Sequence, residues 1–386
     1  MRFRRRLAVA AAFLIVLPGV SYVVLHDYLR GAAFVVNAAD MHGVARTVAE
    51  WEAGQVEEET FTIPSRAGTL PARKYLPRGT RRRRTFLLVP GVHASGVEEP
   101  RLVGFARDLA SMGHPVVTAG PPDLARYTFT PQVTDDIEDA ARWVAAQRDL
   151  APDGRIGMMG ISFAGGLSIV AAGRPSLKDN VALVLSLGGH GDLSRTLRYL
   201  CTGRMPDGSF RPPHDYGVVI ILLGVADRMV PADQVDALRH AVLTFLEASR
   251  LDLVDKQQSA ATFATARALE PLLPEPSRTL MAYVNGRDVE HLGPMLLPHL
   301  SAMGDAAGLS PATSPPPAAP VYLLHGADDN VIPASESLML ADELRGRGVE
   351  THVLATPLIT HAEVENASSV ADIWRLIRFW ASVLDR

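Results

Sequence analysis

The 386-residue sequence has one cysteine, Cys201, and no marked excess of either charge. A single cysteine excludes an internal disulfide and any zinc or iron–sulfur site built from several cysteines. With 38 lysines and arginines against 42 aspartates and glutamates, the net charge is −4, too balanced for a protein that binds nucleic acid by neutralising phosphates. The sequence also lacks a P-loop, an HEXXH zinc motif and a glycine-rich dinucleotide fingerprint after a strand, so no cofactor is indicated.

Composition and length point to a globular protein. Apolar residues make up 47% of the chain and charged residues 21%, which excludes global disorder. At roughly 150 residues per domain the length allows two or three units, but a large α/β domain takes up a similar length on its own.

The N-terminus has the pattern of a membrane anchor. Four arginines at positions 2, 4, 5 and 6 precede residues 7–25, a run without a formal charge. As a helix this run would span about 28 Å, close to the hydrocarbon thickness of a bilayer. The arginines should stay in the cytoplasm, which predicts a single-pass protein whose catalytic domain is extracytoplasmic. The alternatives are a cleaved signal peptide, with a cleavage site at 19–21 and a secreted product, or a cytosolic core helix.

Residues 61–191 and 320–386 show strands that alternate with helices. The predicted helices lie at 101–112, 135–150, 164–172 and 371–384. The predicted strands are a hairpin at 61–63 and 71–76, then 85–89, 115–118, 155–159, 181–187, 321–324 and 351–355. Several strands are apolar on both faces, as in a mostly parallel sheet that is covered by helices on both sides.

The alternation breaks between residues 192 and 319. This stretch has long helical patterns at 234–249 and 260–273 and ends in a proline-rich linker at 313–317. It is interpreted as a helical cap inserted into one sheet. The predicted organisation is an anchor or signal (1–30), a linker and helix (31–60), a first core part (61–191), the cap (192–319) and a second core part (320–386).

A candidate nucleophile follows the predicted strand at 155–159. Ser162 lies in a Gly-X-Ser-X-small turn between this strand and a helix, with Gly160 and Ala164 as its small neighbours. A serine in such a strained turn projects its hydroxyl above the sheet, and bulky neighbours two residues away would prevent the turn. The alternative is a buried serine that caps the helix.

This motif and the elements around it resemble the α/β-hydrolase superfamily, in particular its serine esterases and lipases. The usual motif has glycine where this sequence has Ala164. The resemblance covers about 60–190 and 320–385, and implies a triad in the chain order serine, acid, histidine.

The resemblance implies that Asp329 is the acid and His361 the base. Residues 321–333 match the superfamily's strand-and-loop signature, in which the acid falls on Asp329 while Asp328 turns the loop. His361 follows the last predicted strand, 32 residues after Asp329, whereas His325 is interpreted as a packing residue. A rival acid, Asp227, stands in a similar signature inside the cap, where the preceding run 218–223 could equally be a helix.

Two backbone amides would stabilise the oxyanion of a tetrahedral intermediate. One is expected from Phe163, directly after the nucleophile. Matching Pro90-Gly91 to the superfamily's His-Gly pair nominates the amide of Val92 as the other, while His93 could touch the substrate or close the pocket.

These features predict a membrane-anchored serine hydrolase that cleaves carboxyl esters through an acyl-enzyme. The predicted substrate is a small-molecule or lipid-like ester, since an anchored enzyme with an apolar cap favours hydrophobic substrates. The same triad serves peptidases, amidases and acyltransferases. A member of a different class, a catalytically inactive binding protein with this fold, is the remaining alternative. The pattern does not predict the oligomeric state.

Overall fold

The structure is a computed structural model that describes residues 28, 31–35, 54–79, 82–252, 254–304, 308–359 and 369–386. The predicted anchor at 7–25 and the predicted base His361 lie outside these residues. Within them, no helix is both long enough and apolar enough to cross a membrane.

Eight strands form one sheet, in the order β1-β2-β4-β3-β5-β6-β7-β8. The strands are β1 (Gln55–Ser65), β2 (Gly68–Arg78), β3 (Phe86–Val89), β4 (Val116–Ala119), β5 (Ile156–Ile161), β6 (Val181–Leu187), β7 (Val321–Gly326) and β8 (Thr351–Thr356). Strand β2 pairs antiparallel with β1 and β4, and all other neighbours are parallel. The predicted hairpin and the mostly parallel sheet are confirmed.

Thirteen helices in the described part of the chain can be delimited. They are α1 (Pro100–Ser111), α2 (Pro122–Ala125), α3 (Pro131–Ala146), α4 (Phe163–Ala172), α5 (Leu193–Thr202), α6 (Asp215–Met229), α7 (Val235–Leu251), α8 (Lys256–Leu269), α9 (Ser277–Asn285), α10 (Val289–Leu296), α11 (Ser301–Gly304), α12 (Ala334–Gly346) and α13 (Val370–Leu384). Residues 31–35 are also helical.

The bounds predicted for α3 are wrong by one turn. The helix was expected at 135–150, but it begins with Pro131 in its first turn and ends before Gln147, whose backbone is extended. Proline at the first helical position is favoured because its missing N–H would have no intrahelical acceptor there. The polar stretch 131–134 hid this start, because its apolar spacing is weak.

The apolar side chains of the parallel strands alternate between two cores. Leu87 and Val89 of β3 pack on one face, together with α3, α4 and α12. Phe86 and Leu88 pack on the other, together with α1, α13 and the segment 31–35. Alternation with period two is what a strand covered on both faces requires.

The helices α5–α11 connect β6 to β7. The hydrophobic cluster that covers the α3 and α4 face of the sheet continues into them, with residues such as Leu222, Phe245 and Met281 fully or almost fully buried. These helices are therefore packed onto the sheet domain through a shared core. They lie beside the carboxyl ends of β6 and β7, where the candidate site is found.

Candidate active site

Ser162 occupies a strained turn between β5 and α4. Its backbone has φ = 55° and ψ = −136°, a region that non-glycine residues rarely enter. Its amide donates to the carbonyl of Leu187 at 2.7 Å, which fixes the turn to the end of β6. Its side chain makes no capping bond to α4 and is only half-buried. The helix-capping alternative is therefore wrong for this serine.

Close packing explains the small residues around Ser162. A Cβ added to Gly160 would lie 2.2 Å from the carbonyl oxygen of Ala164, and one added to Gly165 would lie 2.3 Å from Oγ of Ser186. Both distances are shorter than real carbon contacts, so a side chain at either position would push α4 away from the sheet. Ala164 is fully buried, and its methyl group fits where the superfamily motif has glycine.

Asp329 lies in the loop after β7, and its carboxylate is buried and oriented. Its exposed fraction is 1%, and Oδ1 accepts hydrogen bonds from the amides of Val331 at 2.8 Å and Ile332 at 3.0 Å. Amide donors stabilise a carboxylate in its charged form. By contrast, the side chain of Asp328 is 84% exposed and lies 3.6 Å from Arg211.

His325 is a packing residue, as the sequence suggested. It is buried, with Nε2 2.7 Å from the carbonyl oxygen of Ile332, and since a carbonyl only accepts, Nε2 carries the proton. Nδ1 lies 2.7 Å from the hydroxyl of Ser337, which donates to it. Both ring nitrogens of His325 are engaged, and its Nε2 is 3.5 Å from Oδ2 of Asp329.

The sheet order brings the segments with the predicted triad to the same end of the sheet, where the parallel strands have their carboxyl ends. Strands β5, β6, β7 and β8 are consecutive and parallel, so their carboxyl ends lie side by side. Ser162 follows β5, Asp329 follows β7, and position 361 follows β8 in the chain. The triad itself stays a prediction, because the base lies outside the described residues.

The rival acid Asp227 lies elsewhere. It is near the end of α6, where its side chain is 58% exposed and 3.7 Å from Arg239. The run 218–223 is part of this helix rather than a strand. A carboxylate on the solvent side of a cap helix lacks the strand-end placement that the fold gives to its acid.

The loop after β3 runs directly beside Ser162. A Cβ on Gly91 would be 3.3 Å from Cβ of Ser162, so the backbone approaches that side chain closely. Val92, the predicted second amide donor, is the next residue. Phe163 is the first residue of α4, and the first amides of a helix have no intrahelical acceptor. The geometry therefore agrees with both predicted oxyanion donors without testing them.

The pKa of His93 in the same loop is lowered. Burial is the main cause that lowers its pKa, although the nearby carboxylate of Glu99 acts in the opposite direction. Its Nδ1 accepts from the amide of Ser95 at 3.3 Å, which closes the turn of the loop.

Three residues that the sequence did not indicate hold the loop of Asp329. Arg211 donates to the carbonyls of Ala327 and Asp329 at 3.2 and 3.3 Å, and the hydroxyl of Tyr199 donates to Asn330 at 3.3 Å. The amide of His214 also donates to the carbonyl of Asn330, at 2.9 Å. All three belong to the segment between β6 and α6, and they carry no motif because they act on main-chain oxygens.

Comparison with protein families gives one match. Residues 109–267, less than half of the chain, match the model of X-Pro dipeptidyl-peptidase (S15 family). The matched stretch runs from the end of α1 to α8 and includes Ser162. No curated protein matches the sequence.

Solved structures similar to this chain include esterases and a peptidase. A hyperthermophilic esterase from Pyrobaculum calidifontis is 17% identical, over 94% of this chain and 93% of its own, with a TM-score of 0.45. A thermostable esterase from Pseudomonas putida is 14% identical, over 92% and 87%, with a TM-score of 0.46. An acylaminoacyl peptidase is 16% identical over 89% of this chain but 44% of its own, with a TM-score of 0.48.

The fold follows from the geometry of the chain. The parallel strands β3–β8, the strained serine turn after β5 and the buried aspartate after β7 follow the order that the superfamily requires. With these features the chain has an α/β-hydrolase-like fold, a mostly parallel sheet flanked by helices, and its residues 109–267 are similar to the S15 family model.

Proposed function

We propose that the protein is a serine hydrolase that cleaves carboxyl esters through a covalent acyl-enzyme. The observation that carries this proposal is the conformation of Ser162, held at φ = 55° with its side chain outside the capping position. Strain of this kind costs of order 1–3 kcal/mol and is typical of active sites.

In the proposed mechanism Ser162 attacks the acyl carbonyl while His361 takes the hydroxyl proton. The carboxylate of Asp329 holds the imidazolium, and the amides of Phe163 and Val92 stabilise the oxyanion. The proton then passes to the leaving alcohol, and water releases the acid from the acyl-enzyme by the same steps in reverse. The two amides on Oδ1 of Asp329 orient its carboxylate, so that Oδ2 is the oxygen that would face the base.

A peptidase is the second candidate, because the family match is to a dipeptidyl-peptidase. Hydrolysis of p-nitrophenyl esters of increasing chain length should be compared with hydrolysis of Gly-Pro-p-nitroanilide. We expect ester turnover to dominate and to increase with apolar chain length. Faster cleavage of the anilide than of the esters would indicate that the protein is a peptidase and not an esterase.

The test of the nucleophile is covalent labelling by a fluorophosphonate probe. The full chain should be labelled, and Ser162→Ala should abolish both labelling and ester turnover. Ser168→Ala is the matched control, because Ser168 is a buried serine on α4, six residues beyond Ser162. Absence of labelling in folded wild-type protein would support the inactive binding protein instead.

We also propose that residues 7–25 anchor the enzyme in a membrane, with the hydrolase domain on the extracytoplasmic side. The basic cluster before this run and its length support the proposal. The full chain should stay in membranes after alkaline carbonate extraction, whereas Leu14→Arg/Ile15→Arg should not insert, since each arginine costs about 3 kcal/mol at mid-span. A mature chain that begins near residue 21 would identify a cleaved signal instead.

A further inference from the structure

Two tyrosines contact the loop that follows β3. Tyr216, in the first turn of α6, donates its hydroxyl to the carbonyl of Val92 at 3.5 Å. Tyr127, in the loop before α3, packs edge-on against the ring of Tyr216, and its hydroxyl lies beside the Tyr216 hydroxyl and the amide of Ala94. These four groups, called the tyrosine circuit below, connect the loop at Ala94 with the loop at Val92. The two ring centroids are 6.2 Å apart.

The backbone of Tyr127 is strained. Its φ is 60°, and it is one of three non-glycine residues with positive φ among the described residues, another being Ser162. The side chain is nevertheless almost fully buried. A bulky residue keeps this conformation only where its surroundings over-determine it. The contacts with Ala94 and Tyr216 are a physical reason for the strain.

Both hydroxyls stay protonated under ordinary conditions. Burial raises the pKa of Tyr127, and burial raises the pKa of Tyr216 well above its ordinary value. Each hydroxyl can therefore donate as well as accept over the working pH range of an enzyme, so the circuit does not break by titration.

We propose that Tyr127 and Tyr216 are positioning residues that fix the oxyanion loop, residues 90–95, and thereby aim the amide of Val92 at the reacting carbonyl. The inference rests on the proposed function. Tyr216 comes from the cap and Tyr127 from the core, so correct placement of the loop requires that the cap is seated. A pre-organised donor accelerates the reaction only when it is aimed at the place where negative charge develops.

The test compares Tyr216→Phe, Tyr127→Phe and the double variant in the full chain. The matched control is Tyr322→Phe, because the hydroxyl of Tyr322 also donates to a backbone carbonyl, that of Ser382 at 3.4 Å, in the core on the other face of the sheet. For each protein kcat and KM for a p-nitrophenyl ester, the rate of fluorophosphonate labelling and the melting temperature are measured.

We expect each single variant to lower kcat and the labelling rate by about 10- to 100-fold, with KM changed by less than about threefold. The double variant should lose no more than the worse single variant, since one circuit is broken in each case. Tyr322→Phe should stay within about twofold of wild type at a similar melting temperature.

Four results would overturn the proposal. The first is that Tyr216→Phe has the same kcat and labelling rate as Tyr322→Phe. The second is that Tyr216→Phe raises KM and keeps the wild-type kcat, which indicates that Tyr216 contacts the substrate instead. If Tyr216→Phe does not fold, a wild-type kcat in Tyr127→Phe would overturn the proposal in the same way. Wild-type protein that neither labels nor turns over ester would remove the proposed function itself, and the inference with it.

Discussion

At the scale of single residues, the site depends on glycines, because the side chain that a glycine lacks would collide with its neighbours. Gly160 and Gly91 leave room for the turn of Ser162 and for the loop beside it. Sequence reasoning finds Gly160 because it belongs to a motif. It does not find Tyr127 or Tyr216, since two tyrosines 89 positions apart form no pattern before the chain is folded.

Gly160→Ala should destabilise the protein and disable the site. The new methyl group would lie 2.2 Å from the carbonyl oxygen of Ala164, so α4 must move. We expect the free energy of unfolding in urea to fall by about 1–3 kcal/mol and ester turnover to fall more than tenfold. Gly104→Ala on α1 is the control: nothing lies within 4 Å of its Cβ, and alanine should stabilise the helix by up to about 1 kcal/mol. Wild-type turnover in Gly160→Ala would contradict this account.

Asp329→Asn and Asp227→Asn should differ sharply. The first removes the charge that is expected to hold the imidazolium, and kcat should fall by about 10⁴-fold, as in other triads. The second changes an exposed side chain on α6 and should leave kcat within about twofold. The assignment is wrong if only Asp227→Asn abolishes p-nitrophenyl ester turnover.

At the scale of elements, Glu336 ties the cap to the sheet domain. This buried residue on α12 accepts from Nε and Nη2 of Arg195 on α5, at 2.6 and 3.0 Å. It also accepts from the amides of Gly191 and Asp192 at 3.0 and 2.9 Å, which fixes the chain where it leaves the sheet for the cap. No motif marks Glu336, because its partners are about 140 positions away.

Glu336→Gln should be strongly destabilising. It removes the carboxylate charge that lies 2.6 Å from the guanidinium of Arg195, which is largely buried. Loss of one partner of a buried pair typically costs 3–5 kcal/mol, and since Arg195 keeps some exposure we expect about 3 kcal/mol in urea unfolding. The exposed pair Lys256–Asp252 is the comparison, and Lys256→Met should cost less than about 0.5 kcal/mol. Equal effects of the two substitutions would refute this role of Glu336.

At the scale of the whole molecule, the stability should depend on pH through His190. This histidine is fully buried between α4 and the chain that returns from the cap, where Nε2 lies 2.8 Å from the carbonyl of Leu309. Burial lowers its pKa, in the same direction as the charge of Arg195, whereas Leu309, Glu336 and Asp192 act in the opposite direction. Its Nδ1 has no hydrogen-bond partner among the described residues.

The direction of this pH dependence follows from proton binding. Below about pH 6.5 an unfolded histidine takes up a proton that folded His190 resists, so the unfolded state gains protons first. This contribution to stability is complete above pH 6.5 and is lost as the pH falls towards the lowered pKa, by up to about 1.4 kcal/mol per pH unit. Urea unfolding of wild type at pH 7.5 and 5.5 should show this loss, and His190→Gln should remove it. An equal loss of stability between pH 7.5 and 5.5 in wild type and His190→Gln would show that His190 is not the cause of the pH dependence.

The sequence by itself determined the sheet, most of its strands and the turn of Ser162, because period-two apolar runs and a Gly-X-Ser-X-small turn are local patterns. Only the tertiary structure decided that Asp227 lies on helix α6 and that Asp329 lies buried in the loop after β7. It also joined Tyr216 to Val92 and Glu336 to Arg195. The physical reason is that such bonds join distant segments, often through main-chain oxygens, which every residue carries and no sequence motif can mark.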